Sequence, residues 1–377
     1  MAVTFRYATY DEYPPIRTFL DEYWAKGHIY VRDRALFDWT FNRKPLWTEE
    51  GYSFALAHEG GELVGILGGI PFEFNCFGKC STGVWIANYV IRPDHRRGST
   101  ALQLLSMFRR PCFQPVIAFG INPATAAIYR VLRGEVLPHI PRYFAVLPDA
   151  VARMVNFLRI AYPDWPGEKA EEIAETFRLP ATPPVTCHAN SAIPSEWDTR
   201  DWPAIAERSV GAARDAKYLA WRYQAHPRFS YRFLSVPEGR SHGLLVWRLE
   251  AIRRATPEGR EDVDRIGRIV DILPASAENA SALIGLFLKE LKEADAFGAD
   301  FYGYHGEARA GLAANCFKPI DCHPDGDAIP SRFQPLDGKG GAILSAMFPP
   351  EGAPACNLDD RCPWCWTKSD SDQDRPN

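Results

Sequence analysis

The run Val90-Ile91-Arg92-Pro93-Asp94-His95-Arg96-Arg97-Gly98-Ser99-Thr100-Ala101 passes from an apolar, strand-like stretch through a basic turn into the small residues that open an expected helix. A strand feeding a turn and then a helix start leaves several backbone N–H groups aimed one way, with the positive end of the helix dipole behind them. Gly98, Ser99 and Ala101 let a diphosphate approach the backbone, and Arg96 and Arg97 add charge-assisted hydrogen bonds. The chemistry is anion binding. Downstream, Asn122 and Tyr129 stand seven residues apart in GINPATAAIYRVLRG. Seven helical residues turn through about 700°, so both side chains lie on nearly one face. The chain closes on TKSDSDQDRPN, where Asp370, Asp372 and Asp374 alternate with small or polar residues ahead of Arg375. Such carboxylates hold an ammonium or hydroxyls, and Arg375 or Lys368 meets a diphosphate. The plain alternative is a frayed acidic terminus.

Two metal-like patterns are incomplete. Cys362-Pro363-Trp364-Cys365, with Cys356 upstream, has no second CxxC and no His pair at finger spacing, so structural cysteines are expected. Asp370-Ser371-Asp372-Gln373-Asp374 begins like a calcium loop, but Arg375 occupies the sixth position and no Glu follows at the twelfth. No metal is expected.

The elements that position these residues can be read from periodicity. Tyr52 to Ala57 and Leu63 to Phe74 are strand-like runs joined by His58-Glu59-Gly60-Gly61, which predicts a hairpin. Gly83 to Ile91 is a further strand, Ala101, Leu104, Leu105 and Phe108 mark a helical face, Val116 to Ile121 returns to strand, and Asn122-Pro123 opens a second helix. The order recurs. Leu219-Ala220-Trp221-Arg222-Tyr223 matches Phe37-Asp38-Trp39-Thr40-Phe41 and precedes a second hairpin, Tyr231 to Val236 with Leu244 to Ile252. A strand (Ile266 to Leu273), a helix (Ala277 to Ala294), a strand (Phe301 to Tyr304) and a helix near Glu307 to Asn315 follow. This reading divides the chain into a domain over 1–150, a helical and Pro-rich linker over 151–197, and a second domain over 198–377.

At 377 residues the chain exceeds the usual size of one hydrophobic core, and 46% hydrophobic residues allow a large one. A net charge of -4 argues against a nucleic-acid binder held by phosphate contacts. The N-terminus lacks an apolar segment of signal-peptide length, and no run approaches the roughly 18 apolar residues of a membrane span, so a cytoplasmic protein is expected. Nine cysteines form no evident disulfide framework.

The turn Arg96 to Ala101, together with Asn122 and Tyr129, resembles the GCN5-related N-acetyltransferase (GNAT) family, whose pyrophosphate loop reads Arg/Gln-x-x-Gly-x-Gly/Ala; Ser99 stands where glycine is usual. The resemblance implies an α/β (α+β) fold of tandem GNAT-like domains, each a mixed central sheet flanked by helices. It also implies acyl-CoA, either acetyl-CoA or a longer homologue, as co-substrate. It places the pyrophosphate on Arg96, Arg97, Gly98, Ser99, Thr100 and Ala101, the pantetheine along Val90 and Ile91, Asn122 on the pantetheine arm, and Tyr129 near the thioester sulfur as acid. The second copy has Pro274-Ala275-Ser276-Ala277-Glu278-Asn279 at the corresponding turn, without an Arg pair or a glycine, and is not expected to bind the cofactor. His305, at the corner corresponding to Asn122, is the candidate base. The tandem order, the Trp221-Arg222-Tyr223 segment with His226-Pro227, and the tail look like a narrower group. These are two-domain N-acyltransferases acting on nucleotide-linked amino sugars of surface polysaccharides, with Asp370, Asp372, Asp374 and Arg375 at the acceptor. Two rival readings share the fold: a non-catalytic acyl-CoA-binding module, and an aminoacyl transferase acting on peptidoglycan precursors.

Overall fold

Turn and cap chemistry shape the first half of the chain. In the computed structural model, which describes residues 2–180, 191–238, 241–255, 261–333, 336–337, 343–357 and 362–376, β1 (Thr4–Tyr7) leads into α1 (Tyr13–Tyr23), which has proline in its first turn. Next come α2 (Ile29–Arg32) and α3 (Arg34–Phe41), the latter capped by Asp33, whose carboxylate accepts from the Leu36 N–H at 3.1 Å. The hairpin of β2 (Phe54–Glu59) and β3 (Glu62–Cys76) turns at Gly60 and Gly61, with φ of 60° and 87°, as a tight two-residue turn requires. β4 (Lys79–Ile91) feeds α4 (Thr100–Phe108), and β5 (Val116–Phe119) feeds α5 (Pro123–Val131). β6 (Glu135–Ile140) and β7 (Arg142–Val146) close this half.

The connecting region folds as α6 (Val151–Ala161) and α7 (Gly167–Thr176); of the helical and Pro-rich linker expected over 151–197, residues 181–190 lie outside the described residues. The second half contains α8 (Trp202–Ala206), β8 (Val210–Ala212) and α9 (Ala216–Leu219). The repeat follows as β9 (Arg232–Glu238), β10 (Ser241–Ala255), β11 (Glu261–Leu273), α10 (Ala277–Glu293), β12 (Gly298–Tyr304) and α11 (Gly306–Ala314). Three two-residue strands, β13 (Lys318–Pro319), β14 (Arg332–Phe333) and β15 (Leu336–Asp337), precede β16 (Ile343–Phe348) and β17 (Trp364–Thr367).

Element order therefore repeats, and the two copies meet at a matching pair of side chains. Trp39 and Trp221, equivalent in the two copies, stack with ring centroids 4.9 Å apart. Each indole N–H points at the other's backbone carbonyl, at 3.3 and 3.5 Å.

Among the described residues fifteen strands join in one mixed sheet, in the order β6-β16-β5-β4-β3-β8-β17-β12-β11-β10-β9, with β1 and β2 continuing from β3 and β7 and β13 from β12. The halves exchange strands. β7, before residue 150, pairs with β12, while β16, near the other end of the chain, inserts between β5 and β6. β8 and β17 bridge the two half-sheets by pairing with β3 and β12 respectively and with each other. The core is correspondingly continuous across the halves: Phe74, Trp364 and Trp366 belong to the same buried cluster as Phe37 and Tyr223.

Candidate active site

The register of β4 and β5 opens the site. These parallel strands pair only from Val84↔Val116 to Ile86↔Ala118. β4 then runs on to Ile91, while β5 ends at Phe119 and the chain turns away through Gly120, with φ of 68°. A β-bulge in β4, where the pairing with β3 shifts between Ile66 and Gly68 and Asn88 takes φ of 50°, widens the gap. The opening holds a cavity of about 220 Å³ lined by Asn88, Tyr89, Phe119, Asn122, Asp372 and Arg375, among others. Asn88 is buried, and its Oδ1 has no hydrogen-bond partner among the described residues. An unpartnered amide oxygen in a cavity wall is unusual because buried polar groups are nearly always paired.

Tyr89, in the cavity wall, donates its hydroxyl to the Ala101 carbonyl and so ties the wall to the first turn of α4. Pro93–His95 forms a 3-10 turn, and Arg96, Arg97, Gly98 and Ser99 are exposed. The backbone N–H groups of Ser99, Thr100, Ala101 and Leu102 find no acceptor among the described residues, as expected of a first helical turn. Arg96 turns its Nε onto the Ile91 carbonyl at 3.0 Å, fixing the loop to the end of β4. His95 sits between Glu59 (3.1 Å) and Asp94 (2.8 Å); the hydrogen bond to Asp94 and then that to Glu59 raise its pKa.

No family model and no curated sequence matches the chain. Solved structures do. A GCN5-related N-acetyltransferase from Anabaena variabilis aligns with a TM-score of 0.50 and 11% identity over 80% of this chain and 65% of that one, so this chain spans less than two thirds of its length. A probable N-acyltransferase from Enterococcus faecalis gives 0.52 and 12%, covering 92% and 72%. The N-myristoyltransferase of Saccharomyces cerevisiae, with bound myristoyl-CoA, gives 0.53 and 12%, covering 94% and 81%. The fold is that of the GCN5-related N-acetyltransferases.

Within this acetyltransferase fold the two copies are unequal. In the second, β11 and β12 pair from Ile266↔Gly298 to Ile269↔Phe301. Gly303 N–H points toward β7, donating to Pro141 O, so the Tyr302 carbonyl faces the β11 edge, where it accepts from Lys368 N–H at 2.9 Å. The end of β17 thus wedges between β11 and β12, filling the gap that stays open in the first copy. The turn after β11 is closed too: Arg208 donates to the carbonyls of Pro274 and Ala275 at 2.7 and 2.9 Å.

The residues expected at the site separate into groups. Val90 and Ile91 are buried at the end of β4, beside the opening. Asn122 lines the cavity and caps α5, its Oδ1 accepting from the Thr125 N–H at 2.8 Å. Tyr129 stands apart. It is wholly buried with its ring stacked on Phe348 at 4.8 Å, its hydroxyl has no partner among the described residues, and burial raises its pKa. His305 caps α11, its Nδ1 accepting from the Ala308 N–H at 3.4 Å, and faces a different cavity of about 490 Å³ beside Arg208 and Cys365. Burial holds its pKa down to about 4.

The tail is packed rather than frayed. Asp370 pairs with buried Arg214 at 2.9 Å, and Arg214 also holds Asp271 at 2.8 Å. Asp374 accepts from Arg248 at 2.9 and 3.1 Å and from the Tyr231 hydroxyl at 2.7 Å. Arg222 donates to the Ser369 and Asp374 carbonyls at 2.7 and 3.3 Å. These contacts carry Asp372, Gln373 and Arg375 into the β4–β5 opening, where Arg375 holds Asp372 at 2.8 Å and Gln373 donates to Phe119 O at 3.3 Å. Sequence reasoning missed the roles of Trp24, Gln373 and Arg332 as cavity walls, and the consequence of Asn88 at the bulge. Only Gln373 lay in a segment that composition had singled out.

The cysteines that suggested a motif are packing residues at the root of β17. Cys356 and Cys362 are buried, and Cys356 accepts from the Trp366 indole at 3.2 Å. No group of residues suited to a metal ion occurs among the described residues. No helix among them is long and apolar enough to cross a membrane.

Proposed function

We propose that this chain is an N-acyltransferase that moves an acyl group from acyl-CoA directly to the amine of a nucleotide-linked amino sugar. The observation that carries the reading is the β4–β5 opening, with the exposed N-terminus of α4 tied to its wall through Tyr89 and the Asn88 amide oxygen unpartnered in that wall. The diphosphate of CoA fits the free N–H groups of Ser99 to Leu102 with Arg96 and Arg97 beside them. Pantetheine runs along the uncovered edge of β4 at Val90 and Ile91, past Asn122.

In the reaction the acceptor nitrogen attacks the thioester carbonyl carbon; a C–N bond forms, the C–S bond breaks, and CoA leaves as thiolate. The Asn88 amide supplies a donor for the carbonyl oxygen as negative charge develops there. Asp372, the carboxylate lining this cavity, takes the proton lost by the amine, and Arg375 fixes its orientation. His305 serves no step here because it opens on the other cavity. Filling of the second copy's gap by β17 favours one cofactor per chain. The nucleotide-sugar acceptor is supported by the carboxylate and arginine that the tail brings to the opening.

The test is release of free thiol from a panel of acyl-CoAs, with amino-sugar nucleotides, simple amino sugars and amino acids as acceptors. Transfer to an amino-sugar nucleotide, lowered about 100-fold in kcat by Asn88→Ala, is the expected result. Absence of acyl-CoA binding would overturn the assignment.

A further inference from the structure

The end of β17 carries a lysine whose amine has no partner. Lys368 follows the last residue of β17, and its backbone N–H is the one that donates to Tyr302 O in the filled gap of the second copy. Its side chain lines a cavity of about 310 Å³, beside Arg248, Glu250, Arg268 and Asp374. The carboxylates here are taken by arginines. Asp374 is held by Arg248 at 2.9 Å, Glu250 by Arg248 and Arg268 at 2.9 and 3.3 Å, and buried Asp300 by Arg142 and Arg268 at 2.9 and 3.1 Å. Lys368 Nζ makes no hydrogen bond or ion pair among the described residues and lies 4.8 Å from the centre of the Tyr302 ring. The cavity also adjoins the β4–β5 opening, since Arg332, Gln373 and Arg375 line both.

An amine left over among paired arginines gives up its proton readily, because burial and like charge both disfavour the ammonium. Burial first and then Arg268 hold Lys368 down to about 7, against the pull of Asp300, Asp374 and Glu250. About half of it is free amine at neutral pH, whereas a solvated lysine, titrating near ~10.4, is free in roughly one molecule in 2500. A free amine next to a thioester site is a nucleophile for the acyl group. We infer that Lys368 is a site of self-acylation, taking the acyl group of acyl-CoA held in the β4–β5 opening. The Lys368 nitrogen attacks the thioester carbonyl carbon; the C–N bond of an amide forms, the C–S bond breaks, and the proton lost by the nitrogen passes to the departing thiolate, giving free CoA. The inference rests on the acyltransferase reading for its acyl donor, and the adjoining cavity supplies the space for the acyl group once it is attached.

The test incubates the full chain with acetyl-CoA and no added acceptor at pH 6, 7, 8 and 9, measures released thiol, and maps acetylated lysines by mass spectrometry of peptides cut at acidic residues. Lys368 is expected to gain one acetyl group per thiol released, at pH 7 at least about 100-fold faster than Lys79, which is exposed at the start of β4. Its rate should level off above pH 8, while that of Lys79 keeps climbing. Arg96→Ala with Ser99→Glu should slow acetylation of Lys368 by subsaturating acetyl-CoA at least tenfold, yet leave its labelling by acetic anhydride within a factor of two, because only the first route needs the cofactor loop. Equal acetylation by acetyl-CoA in that variant would overturn the inference, since the acyl group would then come from solution. An unmodified Lys368, in a chain that binds CoA and releases thiol with an added amine, would also overturn it yet leave the acyltransferase reading intact. Failure to bind acetyl-CoA would overturn both.

Discussion

Replacing Asp374 by alanine tests whether the tail is part of the folded core. The carboxylate accepts three short hydrogen bonds, two from Arg248 and one from Tyr231, and Asp374 is 1% exposed. Arg248 is 4% exposed and, among the described residues, would keep Glu250, at 2.9 Å, as its remaining ion-pair partner. Removing one member of a buried pair leaves the other charge uncompensated, at a cost of about 3–5 kcal/mol. That is a large part of a total stability of roughly 5–15 kcal/mol. With a urea m-value of about 3 kcal/mol/M, the unfolding midpoint should fall by about 1–1.7 M. Asp374→Asn, which keeps an acceptor for Arg248, should cost less. The pH dependence follows from the pKa. Burial opposes ionisation of Asp374, but the charge of Arg248 and its hydrogen bonds outweigh burial and hold the pKa below the usual carboxylate range. A folded-state pKa lowered in this way gives stability that is complete above the unfolded carboxylate value and is lost as pH falls through the folded one. The loss caused by the substitution should therefore be constant from pH 5 to 8 and shrink in strong acid. The assay is urea unfolding followed by fluorescence and circular dichroism at fixed pH. A midpoint shift under about 0.3 M at pH 7, with an unchanged m-value, would refute the reasoning and show that Glu250 alone satisfies Arg248.

Arg96→Ala combined with Ser99→Glu places negative charge at the α4 N-terminus and should weaken CoA binding at least tenfold, while the wild-type protein titrates with one CoA per chain; calorimetry measures both. Tyr129→Phe removes a buried hydroxyl that has no partner among the described residues, so turnover and CoA affinity should stay within a factor of two and stability should hold or rise by up to about 1 kcal/mol. A tenfold fall in kcat would return the hydroxyl to the chemistry. Lys368 is held down to about 7, by burial first and then by Arg268, so between pH 7 and the unfolded lysine value the unfolded chain carries the extra proton. Stability should thus rise with pH across that window, and Lys368→Met should flatten the rise in unfolding midpoints measured from pH 7 to 10.

Strand and helix positions were largely legible in the sequence because they rest on local rules. The hairpin at Gly60-Gly61, the strand ending at Ile91, the helix from Thr100 and the Asn122 cap each follow from residues close in the chain. The repeat was legible for the same reason, and Trp39 and Trp221, matched by sequence, meet at the contact between copies. The basic turn before α4 needed only its own residues to present free N–H groups at the surface.

Pairings between distant segments were decided by the tertiary structure. Nothing local distinguishes β7 or β16 as strands that cross into the other half, since a strand's partner depends on which sheet edge is left uncovered when the halves pack. The tail shows the same limit. Alternating Asp residues are as compatible with a solvated end as with burial, and it is Arg214, Arg222 and Arg248, brought together by the fold of the second half, that make burial of Asp370 and Asp374 tolerable. Once those pairs fix the tail, Asp372 and Arg375 enter the cavity between β4 and β5. Composition supplied the charges; the register of β4, β5 and β17 decided which of the two equivalent gaps stays open.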